Sequence, residues 1–405
     1  MLTLYNSLGK KLEPFQPVNK KYVTMFTCGP SVYQKSHIGN FRTFLFEDLL
    51  ARYLEFSGYK VVRGMNFTDI EDKAIQEAER QQTTVRRITE KNIRVFLNEM
   101  DLFRMKPPEF LPRASECIHE TAGIIQTLLK KQYAYRYRGN VYFDPLRFCG
   151  FGKLYGLDMS EWPAKKQRFH KDTYPGIRWN LGDFILWHGY KEGDRYSWDT
   201  QIGKGRPSWN VQDAGIVSKY FDETLSLYCG GIDNLFRHHD YSLAILESVR
   251  PYQMARFWLH CHHLYVNGQK MSKSRRNILY SDSLRKHGYS MSEIRFFLIY
   301  KHYRERLDYS DRGMKSAVER LRAFKAAVRK FGKIPPRKSS AGNQISRRLT
   351  KVFTEHMDND LQVRHAFDGL HEIIVNTSLS DLNAGEASGA VKTLRKIDEV
   401  LQVIF

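Results

Sequence analysis

Residues 22–65 constrain the fold more than any other stretch of this chain. YVTMFTC (22–28) is a run of β-formers that reads as a short buried strand. GPSVYQKSHIGN, from Gly29 to Asn40, is rich in turn formers and opens a helix. That helix is expected from Phe41 to Ser57, with Phe44, Phe46, Leu49, Leu50 and Leu54 at mixed three- and four-residue spacing. Gly58 is a natural stop. Lys60 to Met65 reads as a second strand. Strand, helix and strand in so short a span make a βαβ unit, hence a parallel sheet and a doubly wound α/β fold.

The pattern continues along the chain. Residues 68–106 read as helical until Pro107 and Pro108 end the run, and a second helix is expected from about Ala114 to Lys131. Residues 132–205 are rich in Gly, Pro, Tyr and Trp and are expected to be irregular, with short strands such as Asn140–Phe143. Further βα patterns span about 224–247 and 257–266, and a loop runs from Asn267 to Asn277. After Ser310 the texture turns helical, over 311–330, about 345–377, and 384–403. The expected division is 1–131 and 206–310 as two halves of one catalytic domain, 132–205 as an insertion between them, and 311–405 as a helical bundle.

Charge narrows the partners. Of 405 residues, 64 are Lys or Arg and 44 are Asp or Glu, a net +20. Such an excess suits a nucleic acid, an acidic membrane surface or a small polyanion. Five cysteines are too few for a disulfide-built secreted scaffold. The opening MLTLYNSLGKKLEPF has no apolar signal core. No run reaches the ~18 apolar residues of a membrane span, so a cytoplasmic protein with no membrane partner is expected.

Two short motifs carry chemistry. His37-Ile38-Gly39-Asn40 stands at the strand-to-helix junction, where backbone N–H groups and the helix dipole favour phosphate. Lys270-Met271-Ser272-Lys273-Ser274 puts two lysines on a loop suited to clamp a triphosphate. Each alone is compatible with a capped turn or a solvated loop. Together they resemble the two signatures of class I aminoacyl-tRNA synthetases. TCGPSVYQKSHIGNFRTFLFEDLLARYL (27–54), NFTDIEDKAIQEA (66–78), PPEFLPRASECIHE (107–120), GDFILW (182–187), SWDTQIGKGRPSW (197–209), CGGIDNLFRHHD (229–240), WLHCHHLYVNGQKMSKS (258–274) and HYRERLDYSD (302–311) are similar to the cysteinyl-tRNA synthetase family, in order, over about residues 2–400.

The resemblance implies a class I synthetase Rossmann-type parallel sheet with an insertion, followed by an all-α bundle. It implies an adenylate-forming ligase that activates an amino acid with ATP and Mg²⁺. By position, His37 and Asn40 would contact the triphosphate, and Lys270 and Lys273 would hold its outer phosphates. Gly39 would admit the nucleotide, and Gly230, Gly231 and Asp233 would line the adenosine. Gly29, Thr68, Trp209 and Asp213 match the amino-acid pocket. His260 and His263 fall on structural or nucleotide-proximal positions.

The family holds zinc with two cysteines, a histidine and a glutamate, and the zinc grips the substrate thiol. Cys28 and His238 match two of these ligands. Asp213 stands where the second cysteine is expected, and Ser242 where the glutamate is expected. Two readings follow. Cys28, Asp213 and His238 still bind a metal with three protein ligands. Alternatively the metal is gone, and Asp213 is a buried carboxylate facing a pocket that wants a cationic or hydroxyl-bearing substrate.

By the resemblance, the chain is expected to stop at the end of the helical bundle and to carry no separate anticodon-binding module. A shortened relative passes cysteine to an amino-sugar, so a small amine is one expected acceptor. Basic residues from Arg320 to Lys351 favour tRNA or another RNA, or else a solvated face. Three functions remain open at this point: a ligase with altered amino-acid specificity, an authentic cysteinyl-tRNA synthetase with a three-ligand zinc site, and a non-catalytic nucleotide- or tRNA-binding paralogue.

Overall fold

The computed structural model describes residues 1–158, 183–271, 275–334, 344–378, 382 and 384–405. A hairpin of β1 (Thr3–Asn6) and β2 (Lys11–Pro14) comes first. β3 (Val23–Thr27), α1 (Ile38–Phe56) and β4 (Val61–Met65) then form the expected βαβ unit, with β3 and β4 parallel. The expected single helical run over 68–106 is two helices, α2 (Asp72–Arg80) and α3 (Val85–Leu102). Gln82 is left-handed at φ 50°, and the Thr84 side chain caps α3 by accepting from Arg87 N at 3.2 Å. A hydroxyl that can satisfy an orphan N–H favours a helix start over helix interior.

After α4 (Ile118–Lys130), the region expected to be irregular contains a four-stranded antiparallel sheet. It runs β5 (Ala134–Tyr137), β6 (Asn140–Phe143), β7 (Phe184–Gly189) and β8 (Gly205–Pro207), in that order. Cross-strand aromatic pairs, Tyr135 with Tyr142 and Phe143 with Phe184, join neighbouring strands. Such pairing is invisible in composition, because it depends on which strands meet.

The chain then returns to the main sheet through α5 (Trp209–Tyr220), β9 (Leu225–Gly231), α6 (Tyr241–Val249) and β10 (Ala255–Cys261). The sheet order is β10-β9-β3-β4, all parallel. β11 (Leu264–Val266) and β12 (Gln269–Lys270) lead into the lysine loop. α7 (Ser281–Lys286), α8 (Met291–Tyr300) and β13 (Leu307–Tyr309) follow. The helical region contains α9 (Asp311–Gly332), α10 (Gln344–Met357), α11 (Val363–Asn376) and α12 (Ala384–Leu401).

Side chains alternate across the main sheet. Met25, Leu227 and Leu259 face one apolar core, and Phe26, Tyr228 and Trp258 face the other. The first core holds α1 and continues through α8 into the bundle, where Phe353 packs on Tyr53 and Phe56. The second holds α4, α5, α6 and the insertion sheet. α1 is apolar on most sides because it lies between the sheet and the bundle. Each Phe or Leu it buries contributes about 1.5–3 kcal/mol. Arg295 ties α1 to the bundle, with Nη2 on Asp48 Oδ2 at 2.7 Å and Nε on the Leu401 carbonyl at 2.8 Å. None of the described helices is long and apolar enough to cross a membrane.

Candidate active site

In an open parallel sheet, ligands bind beyond the carboxyl ends of the strands. Here β3 ends into Cys28-Gly29 and β9 into Gly231, beside the N-terminus of α1. A cavity of about 360 Å³ opens at this point. It brings together Cys28, Gly29, His37, Gly39, Asn40, Thr68, Trp209, Gly231, Asp233 and Lys270, from segments far apart in sequence. Tyr33, Lys35, Thr43 and Lys73 also line it. Their signal in the sequence was only their place in the loop after β3 and the segments around it. Lys273 lies outside the described residues, with Ser272 and Ser274.

His37 is the N-cap of α1. Its Nδ1 accepts the Asn40 backbone N–H at 3.2 Å, and Asn40 Oδ1 accepts the His37 N–H at 3.0 Å. Burial lowers the His37 pKa to about 4, so the ring is neutral near pH 7. With Nδ1 accepting, the proton sits on Nε2 and makes that atom a donor. In the first turn of α1 the Ile38 N–H is taken by the Leu279 carbonyl at 3.0 Å and the Asn40 N–H by His37, which leaves the Gly39 N–H and the helix dipole to favour an anion.

The glycines are required by contact. A Cβ on Gly39 would lie 3.0 Å from His37 Nδ1 and 3.4 Å from Met271 Cε. A Cβ on Gly29 would lie 1.8 Å from the Asn66 carbonyl oxygen. Gly230 is buried behind the cavity wall, where a Cβ would meet the His239 ring at 2.5 Å. Across the mouth, Lys270 Nζ is 3.4 Å from His263 Nε2, and His263 Nδ1 is 3.9 Å from the exposed Asp233. His260 is turned into the core, bonded to Ser7 Oγ and to His239 Nδ1, each at 2.8 Å.

The model of the tRNA synthetases class I (C) catalytic domain matches residues 14–319, about three-quarters of the chain. The chain belongs to this family. A cysteine–tRNA ligase of Brachyspira hyodysenteriae is 34% identical over 99% of this chain and 86% of its own length. That of Koribacter versatilis is 36% identical over 100% and 82%. Among solved structures, methionyl-tRNA synthetase of Mycobacterium tuberculosis with methionyl-adenylate superposes at TM-score 0.67 and 13% identity, over 95% of this chain and 91% of that one. LeuRS of Agrobacterium radiobacter in complex with tRNA and LeuAMS superposes at 0.66 and 12% identity, over 96% and 85%. At these identities the last two establish the class I synthetase fold.

In this class I synthetase, the deep end of the cavity rests on Cys28, Asp213 and His238. All three are buried, with their donor atoms within 4.8 Å of one another. Trp209, the first residue of α5, stacks on the His238 ring at 4.0 Å and 3°. Asp213 and His238 lie beneath the lining residues. Asp213 Oδ1 accepts from Asn66 Nδ2 at 3.0 Å, and Oδ2 accepts from the Tyr228 hydroxyl at 2.6 Å. His238 Nε2 stands 2.9 Å from Oδ2. Burial pushes the Asp213 carboxyl up, but His238 and these hydrogen bonds outweigh it and hold the group below the usual range. Burial raises the Cys28 thiol well above its usual range, and Asp213 adds to this. Ser242 is buried beside the Tyr228 hydroxyl. Tyr228 and Asn66 were not expected from the sequence; the signal was a phenol in an otherwise apolar strand.

On the bundle, several basic residues serve the fold. Arg320 pairs with Asp368 at 2.7 Å and Arg322 with Glu293 at 2.6 Å. Lys325 bonds the Val403 carbonyl at 3.1 Å. Arg337 and Lys338 lie outside the described residues.

Proposed function

We propose that this protein is an ATP-dependent, amino-acid-activating ligase that forms an aminoacyl-adenylate and passes it to tRNA in the cytoplasm. The observation that carries this reading is the convergence of His37, Asn40, Lys270 and Asp233 on one cavity. The amino-acid carboxylate attacks the α-phosphorus of ATP. A carboxylate-to-phosphorus bond forms, and the bond to pyrophosphate breaks. Charge grows on the phosphoryl oxygens, so catalysis is positioning and electrostatic stabilisation. His37 Nε2–H and the Gly39 N–H donate to phosphate oxygens. Lys270 and Lys273 neutralise the outer phosphates, and Asp233 orients the ribose. Gly231 holds the backbone close to the adenosine, while Gly230 makes room for the His239 ring behind the wall.

Mg²⁺ would shield the phosphate charges. Asp233 is the carboxylate among the described lining residues, so the ion would be held chiefly by the phosphates themselves. A zinc ion would be held by Cys28, Asp213 and His238, the last with ring nitrogens that have no hydrogen-bond partner among the described residues, and would supply a grip on a substrate thiol. In the second step an acceptor hydroxyl attacks the mixed anhydride, an ester forms and AMP leaves. The basic bundle favours an RNA acceptor over a small amine. The division at residues 131, 205 and 310 is kept as part of this reading. The insertion sheet supports it, with β8 (Gly205–Pro207) running two residues past the boundary at 205.

Amino-acid-dependent ATP–pyrophosphate exchange, run with and without total tRNA, tests the proposal. Exchange with one or a few amino acids is expected. Its absence with every amino acid under both conditions would overturn the ligase reading in favour of a binding paralogue.

A further inference from the structure

We infer that Arg42 is a positioning residue, which anchors the small sheet carrying Lys270 to the phosphate end of α1 and so sets where Lys270 stands relative to His37 and Asn40. The catalytic half of this inference rests on the activation reading above; the anchoring half does not.

Arg42 stands one turn beyond Ile38 on α1, the helix that presents His37 and Asn40, and is only 2% exposed. Its guanidinium is spent on backbone carbonyls. Nε donates to His262 O at 3.0 Å and Nη1 to Leu298 O at 2.8 Å. Nη2 donates to His302 O at 2.9 Å and to Glu305 O at 2.7 Å. Four of the five donors that the group offers are thereby used. Burying a cation is costly unless such bonds repay it, so these four carbonyls are held firmly in place.

The carbonyls belong to the segments that build the β12-β11-β13 sheet. His262 lies just before β11, and β11 pairs Tyr265 with Lys270 on β12. His302 and Glu305 lie in the turn before β13, which runs parallel to β11 with Leu264 opposite Leu307. The two approaches are also bonded to each other, His262 N to Tyr303 O at 2.7 Å and Leu307 N to His263 O at 3.2 Å. One guanidinium therefore registers the strand pair that ends in Lys270 against α1. The chain beyond Lys270 returns to the same helix end. Ile38 N donates to Leu279 O at 3.0 Å, and Lys35 Nζ pairs with Asp282 at 3.1 Å.

The consequence is geometric. His37, Asn40 and Lys270 line one cavity, yet they come from ends of the chain more than 200 residues apart. A displacement of about 1 Å between such groups can cost ~10²-fold in rate. Arginine suits the task because its planar fork reaches several carbonyls at once, whereas a lysine ammonium is a single point with three donors.

The test compares full-length wild type with Arg42→Lys, which keeps the charge and loses the fork. Amide hydrogen exchange over residues 262–271 and 302–309 is expected to rise at least tenfold, with α10 and α11 unchanged. Unchanged protection over these strands overturns the anchoring. Pyrophosphate exchange then reads the catalytic half. The rate at saturating substrates should fall about tenfold, with the amino-acid KM within twofold of wild type. On a Lys270→Ala background the same substitution should cost less than twofold, because its effect passes through Lys270. A full tenfold loss on that background overturns the positioning role and leaves a scaffolding one. Arg42→Met fills similar volume and serves if Arg42→Lys does not fold, and failure of both to fold also overturns the positioning role. A wild type inactive with every amino acid would count against the ligase reading, while amide hydrogen exchange still decides the anchoring.

Discussion

His37 and Asn40 cap the first turn of α1 reciprocally, each side chain accepting the other's backbone N–H at 3.2 and 3.0 Å. The motif at the phosphate end of the cavity is therefore also a structural lock. The lock leaves His37 Nε2 as the atom available to a ligand.

Fold and chemistry separate at His37. His37→Ala loses the cap, at a cost of about 1 kcal/mol, whereas His37→Asn retains a good capping residue. Both lose the Nε2 donor, and exchange should fall by ~10²-fold, about 2.7 kcal/mol. Thermal melts and exchange rates on the two variants check this. Normal exchange in His37→Asn would remove the donor role. Because burial lowers the His37 pKa to about 4, wild-type exchange should show no inflection from this group across neutral pH.

Gly39→Ala places a methyl 3.0 Å from His37 Nδ1 and 3.4 Å from Met271. The ring must turn, and Nε2 moves with it. Exchange is expected to drop at least ~10-fold with a melting temperature close to wild type. A variant with undiminished exchange would show that the ring's orientation is unimportant.

Lys273→Ala should lower exchange by at least about tenfold, about 1.4 kcal/mol in the barrier. The ATP dependence of the rate separates lost binding from lost transition-state stabilisation. An unchanged rate would take the lysine loop out of the mechanism.

Glu47 lies on α1 fully buried, and neither of its carboxyl oxygens has a hydrogen-bond partner among the described residues. Burial raises its pKa well above the ordinary value of 4.5, against the pull of Arg63. The folded protein thus holds a proton that the unfolded chain releases above about pH 4.5. Stability from this group is full below that pH and is lost as pH rises toward the folded pKa, at up to about 1.4 kcal/mol per pH unit. Glu47→Gln removes the penalty. The variant should melt higher than wild type near pH 8, with the gap closing near about pH 5. Parallel melting curves at both pH values would contradict the burial account.

The βαβ unit was legible because Val61, Val62 and the 22–28 run are β-formers flanking a glycine-stopped helix, a local pattern. The split of the expected 345–377 helix was not. Asp360 and Leu361 are left-handed at φ 54° and 57°. Asp360 is held there by Tyr5 N, Tyr303 OH and Arg304 Nε, partners distant in sequence. Of the insertion sheet only the Asn140–Phe143 strand was expected by name, because the strands are short and are stabilised by one another. The motif residues could be picked out singly, but Tyr228 lies in no motif and Asn66 only opens the 66–78 segment, and their meeting at Asp213 is a product of the fold.

The sequence by itself determined the parallel α/β fold, the family and the residue types offered to ATP, because strand periodicity, capping and motif spacing are local. It also put Asp213 and Ser242 where the resemblance expects a cysteine and a glutamate. What Asp213 does in place of a cysteine was decided only in three dimensions. Hydrogen bonds are short and directional, so whether a buried carboxylate is free for a metal, free for a substrate or already engaged depends on neighbours that only folding brings within 3 Å of it.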